Sequence, residues 1–234
     1  MMVLMSSPLS DKIIVALDGE SLAHNRELIR ELSPVASFFK VGLGSLADGA
    51  FDMVRDLKGA GKKVFLDLKL FDIGQTIERA VTQLMDLQPD FITVQGDPPV
   101  VQAAMRGRAG ASTKILAVTF LTSLDRTDLD AMMVVQGDTQ DLVVERARRA
   151  LAAGADGVIA SPLEVMTLRN LPETRGKLIV TPGVRPVGAS LGDQKRVATP
   201  FEALSAGADH VVVGRPVIAA VDPKAAFAAI LKGL

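Results

Sequence analysis

The sequence predicts a single (β/α)8 barrel, a TIM barrel, that spans residues 1–234 as one domain. Short β-branched apolar runs alternate with helical stretches along the chain, which is the pattern of βα units around a parallel sheet. Hydrophobic residues make up 48% of the chain, which is enough for one continuous core. Two segments of the chain also resemble each other, and such a repeat favours a fold built from similar units.

Eight runs that are almost continuously apolar are assigned to strands, since parallel strands buried on both faces have this pattern. They are Ile13–Leu17, Ser37–Val41, Lys63–Leu68, Asp90–Val94, Lys114–Thr119, Gly157–Ala160, Lys177–Val180 and His210–Val213. Between strands, the segment Thr76–Leu87 spaces its apolar residues as a helix does. Helix starts are predicted at Thr199-Pro200 and Asp222-Pro223, because a capping side chain followed by proline is typical of a first turn.

The internal repeat supports a closed barrel. Leu151–Pro162 resembles Leu204–Pro216, and each segment reads as a helix end, a glycine stop, a strand and a turn. The alternative is an open doubly wound sheet, which would favour a GxGxxG motif after its first strand. The sequence DGES stands there instead. The barrel is therefore the predicted fold class.

Composition excludes several kinds of function. The net charge is −1, so no basic surface indicates a nucleic-acid partner. The chain has no cysteine, which excludes disulfides, thiolate nucleophiles and cysteine-ligated metals. The start of the sequence does not resemble a signal peptide, and no apolar run approaches the ~20 residues needed to span a bilayer. We therefore expect a cytoplasmic protein with no membrane partner.

The two histidines, His24 and His210, are assigned to surface or packing positions. His24 lies in a polar helical stretch, and His210 opens an apolar strand. Because cysteine is also absent, acid–base chemistry in this chain must come from aspartate, glutamate or lysine.

Charged residues stand at the ends of the first three predicted strands. In barrels of this class, active sites form at the C-terminal ends of the strands. Asp18 ends the first strand, Lys40 lies on the second, and Asp67 and Lys69 lie on the third. A single charged strand end is usually a solvated terminus, but four alternating charges that converge on one barrel mouth favour a functional site.

The segment VFLDLKLFDI contains the most informative pair. Strand side chains alternate with a period of two, so Asp67 and Lys69 are predicted to share a face. A purely structural salt bridge is the simpler alternative, but burying such a pair costs several kcal/mol per ion. Neighbouring carboxylates favour the charged form of a lysine, which argues against a Schiff-base or general-base role. A held ammonium can instead stabilise a developing negative charge and donate a proton to it.

A phosphate site is predicted on the other side of the mouth. The loops after strands seven and eight, with a helix N-terminus, commonly bind phosphate in these barrels. Gly214 offers a backbone N–H and Arg215 a guanidinium after strand eight. The long irregular segment Gly183–Ala198 carries Arg185 and Gln194, which favours a functional loop that covers an anion.

At these residues the chain resembles the orotidine 5'-monophosphate decarboxylase family. The resemblance covers nearly the whole chain and rests on IIVALD, FFKVG, DLKLFDI, LTS, SPLE, TPGVRP, GDQKRVATP, VVVGRPV and VDP. The DxKxxD pattern also occurs in the related 3-keto-L-gulonate 6-phosphate decarboxylases and hexulose phosphate synthases. Ile73 and Thr76 after that pattern, with LTS and GDQKR, favour the nucleotide enzyme.

The resemblance implies that orotidine 5'-monophosphate is converted to uridine 5'-monophosphate in pyrimidine biosynthesis, with Lys69 protonating C6 as CO2 leaves. It places Asp67 beside the substrate carboxylate and implies that Asp67, Lys40 and Asp72 hold Lys69. The implied substrate contacts are Asp18, Lys40 and Thr76 at the ribose, Thr122 and Ser123 at the base, Gln194 between base and phosphate, and Arg185, Gly214 and Arg215 in the phosphate region. Asp72, Ile73 and Thr76 are expected to enter the neighbouring subunit's site, which implies a homodimer. No metal or organic cofactor is implied.

The sequence departs from the family pattern at four positions. Phe71, Gly74 and Gln75 stand where the family usually has histidine, proline and asparagine, and Gln95 stands where it usually has histidine. None of these is a proposed proton-transfer group. Two alternatives remain open at this point. One is a metal-dependent phosphosugar decarboxylase or aldolase of the same superfamily, and the other is a non-enzymatic barrel that binds a phosphate-bearing ligand.

Overall fold

The eight strands of the computed structural model, which describes residues 9–132, 137–186 and 198–234, close into a parallel barrel in chain order. The strands are β1 Ile13–Ala16, β2 Phe38–Gly42, β3 Lys63–Leu70, β4 Phe91–Gln95, β5 Lys114–Val118, β6 Gly157–Ile159, β7 Leu178–Thr181 and β8 His210–Val213. Strand β8 pairs with β1 and closes the ring. The predicted barrel is confirmed, and each predicted strand end lies within two residues of the observed one.

Helices follow the strands around the outside of the barrel. The α-helices are α1 Leu22–Leu32, α2 Ala50–Gly59, α3 Gly74–Leu84, α4 Pro98–Arg108, α5 Arg126–Ala131, α6 Thr139–Ala152, α7 Val165–Arg169, α8 Pro200–Ser205, α9 Arg215–Ile218 and α10 Pro223–Lys232. Short 3-10 helices cover Ser10–Lys12, Leu43–Asp48, Met85–Leu87, Pro162–Glu164 and Pro172–Thr174. No helix within the described ranges is long and apolar enough to cross a membrane.

Both predicted helix starts are confirmed. The Thr199 side chain accepts a hydrogen bond from the Glu202 backbone N–H, and Glu202 returns the contact in a capping box. The Asp222 side chain accepts from the backbone N–H of Ala225. The helical segment predicted at 76–87 begins earlier, at Gly74, and its last three residues form a 3-10 turn rather than α-helix.

Side chains of the strands alternate between two apolar layers. One layer lies between the strands and the helices and includes Val64, Leu66 and Leu68 of β3. The other layer fills the barrel interior with Ile14, Ala16, Phe38, Phe65, Phe91, Leu116, Val118, Ile159, Val180 and Val212. All eight strands contribute to the interior layer, so the barrel is a packed core rather than a pore.

His210 closes the N-terminal end of this interior. Its ring lies 5.6 Å from the Phe38 ring and 5.3 Å from the Phe91 ring, both in edge contacts. Nδ1 lies 2.8 Å from the backbone carbonyl of Asp11. Burial lowers the pKa of His210 below its ordinary value despite that hydrogen bond. The histidine therefore packs in the core as an uncharged side chain at neutral pH.

The interior changes from apolar to charged toward the C-terminal ends of the strands. On β2 the inward position after Phe38 is Lys40, and on β3 the inward positions after Phe65 are Asp67 and Lys69. Because strand side chains alternate with a period of two, Lys40 lies above Phe38 and Asp67 above Phe65, with Lys69 one step farther toward the mouth. The barrel thus places a charged cluster at one end of a close-packed hydrophobic floor.

Candidate active site

Four charged side chains form a continuous chain of contacts at the barrel mouth. Lys40 Nζ lies 3.2 Å from Asp18 Oδ1 and 3.6 Å from Asp67 Oδ2. Lys69 Nζ donates to both carboxylate oxygens of Asp67, at 2.8 Å each. The order of charges is therefore negative, positive, negative, positive. We call Asp18, Lys40, Asp67 and Lys69 the charged array.

Asp67 is the central anion of the charged array and lies almost entirely out of solvent, with 8% of the residue exposed. Burial alone would raise the pKa of the Asp67 carboxyl, but the charges of Lys40 and Lys69 and hydrogen bonds from Lys69 and Thr93 outweigh it. The pKa of Asp67 is consequently held below its ordinary value. The carboxylate stays ionised and keeps both ammonium groups close to it.

Lys69 has an unusual backbone conformation. Its φ is +48°, in the left-handed region that costs an ordinary L-residue roughly 1–2 kcal/mol. Leu66 pairs with Ile92 of β4 and Leu70 pairs with Val94, so three residues of β3 face the single residue Thr93. Such bulges often occur beside active sites, where they redirect a side chain. The Lys69 side chain, with 29% of its surface exposed, extends from this bulge toward the mouth.

Gly42, the last residue of β2, leaves room for the charged array. A Cβ at Gly42 would lie 2.9 Å from Lys40 Nζ and 3.6 Å from Asp18 Oδ1. Next to Asp18, the Gly19 backbone N–H donates to the side chain of the buried Asn25 at 2.9 Å. This hydrogen bond joins the segment after β1 to α1.

The charged array lines one part of a pocket of about 490 Å³ at the C-terminal ends of the strands. This volume is within the ~300–1,000 Å³ typical of small-molecule sites. Of the residues predicted for the site, those that line it are Asp18, Lys40, Asp67, Lys69, Thr122, Ser123, Arg185, Gly214 and Arg215. The barrel thus brings together residues that are far apart in the sequence.

The cationic end of the pocket comes from the segments after β7 and β8. Arg185 is buried, with 8% of the residue exposed, and its guanidinium donates to the Val184 carbonyl at 2.8 Å. Arg215 is the first residue of α9, and Gly214 precedes it. Strands β3 and β7 are four positions apart in a ring of eight, so Arg185 and Lys69 lie on opposite sides of the mouth. An elongated ligand with an anionic group at each end suits this arrangement.

The middle of the pocket is apolar with a polar edge. Phe65, Val118 and Ile159 form part of its floor, and Thr122 and Ser123 follow β5 at its edge. A flat heterocycle that presents hydrogen-bonding groups on one edge matches this combination.

Three predicted site residues lie away from the pocket of their own chain. Asp72, Ile73 and Thr76 do not belong to its described lining. Asp72 and Ile73 are exposed, and the Asp72 side chain accepts from the Ile73 backbone N–H at 2.6 Å. Ile73 exposes 72% of its surface and the nearby Phe71 exposes 68%, so two large apolar side chains lie together at this surface. Gln194 and the loop residues 187–197 lie outside the described residues.

Sequence reasoning missed Thr93, the buried β4 residue that contacts both Asp67 and the Lys69 backbone. It also missed Phe120 and Leu121, which line the pocket just after β5. The one available signal for Thr93 was a polar residue inside the apolar run FITV. In the described part of the chain, no group of three or more histidine, aspartate or glutamate side chains is arranged to hold a metal ion.

The chain was compared with known proteins. The model of the "Orotidine 5'-phosphate decarboxylase / HUMPS family" matches residues 11–230. A protein of Ruegeria pomeroyi named orotidine 5'-phosphate decarboxylase is 57% identical over 94% of this chain and 92% of its own length. A protein of the same name from Cereibacter sphaeroides is 55% identical over 94% of this chain and 95% of its own length. The crystal structure of orotidine 5'-phosphate decarboxylase from Lactobacillus acidophilus superposes with a TM-score of 0.80 at 35% identity, covering 94% of this chain and 97% of that chain.

Proposed function

Because the chain belongs to the orotidine 5'-phosphate decarboxylase / HUMPS family, we propose that it decarboxylates orotidine 5'-monophosphate to uridine 5'-monophosphate in pyrimidine biosynthesis. The observation that carries the proposal is the position of Lys69. Its ammonium is held 2.8 Å from both oxygens of a buried carboxylate, in a pocket whose far side carries Arg185 and Arg215. The substrate has a carboxylate at its reacting end and a phosphate at the other, so its charges match the two ends of the pocket.

Lys69 is the proposed proton donor. When CO2 leaves C6, the electron pair of the broken C–C bond stays on C6 in the plane of the ring, where the π system delocalises it poorly. An ammonium already placed at C6 stabilises that pair without reorganising. It then transfers a proton to C6, which forms the new C–H bond and leaves Lys69 as a neutral amine. Solvent returns the proton to the amine before the next turnover.

Asp67 and Lys40 have supporting roles in this proposal. Asp67 holds the Lys69 ammonium by two hydrogen bonds and lies beside the position proposed for the substrate carboxylate. Its negative charge attracts the Lys69 ammonium and holds it at this end of the pocket. Lys40 lies between Asp18 and Asp67, and its positive charge offsets the repulsion between these two carboxylates. Asp18 and Lys40 are the proposed ribose contacts.

The other substrate groups are assigned from the pocket lining. Thr122 and Ser123 are the proposed partners of the pyrimidine edge. Arg185, Gly214 and Arg215 are the proposed phosphate ligands, because guanidinium groups and backbone N–H groups bind phosphate oxygens well. Binding energy from the distant phosphate can then contribute to the reaction at C6. A bridging role for Gln194 stays a prediction.

We further propose that two copies of the chain share their active sites. Asp72, Ile73 and Thr76 lie beyond the end of β3, outside the pocket of their own chain. A twofold interface would bring the same segment of each subunit to the other's mouth. Burial in such an interface would also account for the exposed Ile73 side chain. The cytoplasmic location expected from the sequence stays a prediction as well.

Mixed dimers test the sharing. Lys69→Ala and Asp72→Ala chains, each inactive alone, are co-expressed with different tags, and the tagged heterodimer is purified. In a shared-site dimer one of its two sites carries neither substitution, so the purified heterodimer should have up to about half of wild-type activity, and an unfractionated statistical mixture up to about a quarter. Verified heterodimers that stay inactive would show that Asp72 serves its own subunit.

The competing candidate is a phosphosugar decarboxylase of the same family, favoured by the Asp72-Ile73-Gly74 sequence that resembles those relatives. The test is an assay of CO2 release from orotidine 5'-monophosphate and from 3-keto-L-gulonate 6-phosphate, each with and without a metal chelator. We expect turnover of the nucleotide only, unchanged by the chelator. Turnover of the sugar phosphate that is lost with the chelator would support the competing candidate. Turnover of neither would support a non-enzymatic barrel.

A further inference from the structure

Thr93 is a fully buried residue in the middle of β4, with no exposed surface. Its hydroxyl makes two hydrogen bonds to the neighbouring strand β3. Oγ1 donates to Asp67 Oδ1 at 2.8 Å and accepts from the Lys69 backbone N–H at 3.0 Å. One hydroxyl therefore contacts both residues on which the proposed chemistry depends.

The backbone contact lies where β3 is irregular. Thr93 is the single β4 residue opposite the three-residue stretch of Asp67, Leu68 and Lys69. A bulge interrupts the regular hydrogen-bond ladder, so a buried backbone N–H within it needs another acceptor. The Thr93 hydroxyl supplies that acceptor for Lys69, whose φ of +48° is unfavourable without such support.

The side-chain contact has a fixed direction. A hydroxyl carries one proton, and the backbone N–H of Lys69 can only donate to it. The proton of Thr93 must therefore point to Asp67, which accepts it as a carboxylate. This hydrogen bond helps Lys40 and Lys69 to lower the pKa of Asp67 against the effect of burial.

We propose that Thr93 is a positioning residue for the decarboxylation, because its hydroxyl fixes the carboxylate of Asp67 and the backbone of Lys69 in one geometry. The inference rests on the function proposed above. The hydroxyl does not line the pocket, so it acts through the two β3 residues rather than on the substrate. Its loss should slow the chemical step and leave substrate binding largely intact.

The test compares three variants by kcat, KM and thermal stability. Thr93→Val removes the hydroxyl and keeps the shape of the side chain, whereas Thr93→Ser keeps the hydroxyl. Thr113→Val is the matched control. It removes another buried threonine hydroxyl, which donates to the Pro89 carbonyl at 2.7 Å, at the opposite end of the barrel. We expect kcat to fall about ten- to hundredfold in Thr93→Val, the loss associated with a hydrogen bond to a charged group, while KM changes little.

Two further results distinguish positioning from a loss of stability. Thr93→Ser should recover most of kcat, and Thr113→Val should lose stability with wild-type kcat. The acid limb of the kcat–pH profile should move to higher pH in Thr93→Val, because Asp67 loses a donor to its ionised form and is protonated more easily. If Thr93→Val does not fold, Thr93→Ala, which also lacks the hydroxyl and is smaller, replaces it in the comparison with serine.

The inference and the proposed function fail in different ways. A wild-type chain that does not release CO2 from orotidine 5'-monophosphate would contradict the function itself. If the wild type is active, the inference is overturned when Thr93→Val keeps the kcat and the acid limb of the wild type and loses only stability. Equal losses of kcat in Thr93→Val and Thr93→Ser would overturn it too, since the variant that keeps the hydroxyl would then be no better than the one that lacks it.

Discussion

Replacing Arg215 by alanine tests the phosphate end of the pocket. The side chain starts α9 at the pocket rim, and the residue is exposed. A hydrogen bond to a charged group is worth about 1.5–3 kcal/mol, and about 1.4 kcal/mol corresponds to a tenfold change. We therefore expect kcat/KM for orotidine 5'-monophosphate to fall about ten- to hundredfold in Arg215→Ala.

The assay compares two substrates. Initial rates are followed by the ultraviolet absorbance of the pyrimidine for orotidine 5'-monophosphate and for orotidine, which lacks the phosphate. If Arg215 acts through the phosphate, the substitution should leave kcat/KM for orotidine nearly unchanged. Arg149→Ala is the control, because Arg149 is an exposed arginine on α6 whose only described ion pair is with Glu145 at 2.7 Å. An equal relative loss with both substrates would refute the assignment of Arg215 as a phosphate ligand.

Two other substitutions have expected outcomes. Gly42→Ala should lower kcat roughly ten- to hundredfold with little change in stability. The added Cβ would lie 2.9 Å from Lys40 Nζ and would displace this flexible end of the lysine side chain. Gly44→Ala, whose Cβ would meet no atom within 4 Å, is the control, and equal activities of the two variants would contradict the reasoning. His210 has a pKa below its ordinary value in the folded chain, so it binds protons more readily when unfolded. Its contribution to stability is therefore complete above about pH 6.5 and decreases as the pH falls below that value. Melting curves at pH 8 and pH 5 should differ less in His210→Phe than in the wild type, and an equal difference would argue against a neutral, half-buried histidine.

The fold could be predicted from the sequence because its signals are local. Apolar runs, glycine stops and capping residues each describe one element, and the repeat between 151–162 and 204–216 corresponds to the units that contain β6 and β8. The repeated units diverge after their strands. Ser161 and Pro162 lead into a 3-10 helix in the first unit, whereas Gly214 and Arg215 lead into α9 in the second. Of these four residues, Gly214 and Arg215 line the pocket.

The site could be predicted only in part. Period-two alternation was sufficient to bring Asp67 and Lys69 to one face, and their side chains do meet. It gave no indication of the bulge at Lys69, because a bulge depends on how two strands pair and not on one strand alone. Thr93 was missed for the same reason, since its role follows from the register of β4 against β3.

The exposed segment after β3 shows another limit of what the sequence of one chain can predict. Sequence similarity implied that Asp72 acts in a neighbouring subunit, and one chain by itself places Asp72 and Ile73 at its surface. In a dimer of identical chains the partner residues belong to the same sequence, but the contact depends on how two copies pack together, which no local sequence pattern describes. Its role therefore has to be established by measurements on the assembly.

The most direct test of the account is the rate of CO2 release from orotidine 5'-monophosphate by Lys69→Ala beside the wild type. Lys69 is the ammonium of the charged array that lies in the bulge of β3, and its partner Asp67 is ionised. The account predicts that the variant folds, binds uridine 5'-monophosphate and releases no measurable CO2, because it lacks the proposed proton donor to C6. Near-wild-type release of CO2 by the folded variant would contradict it.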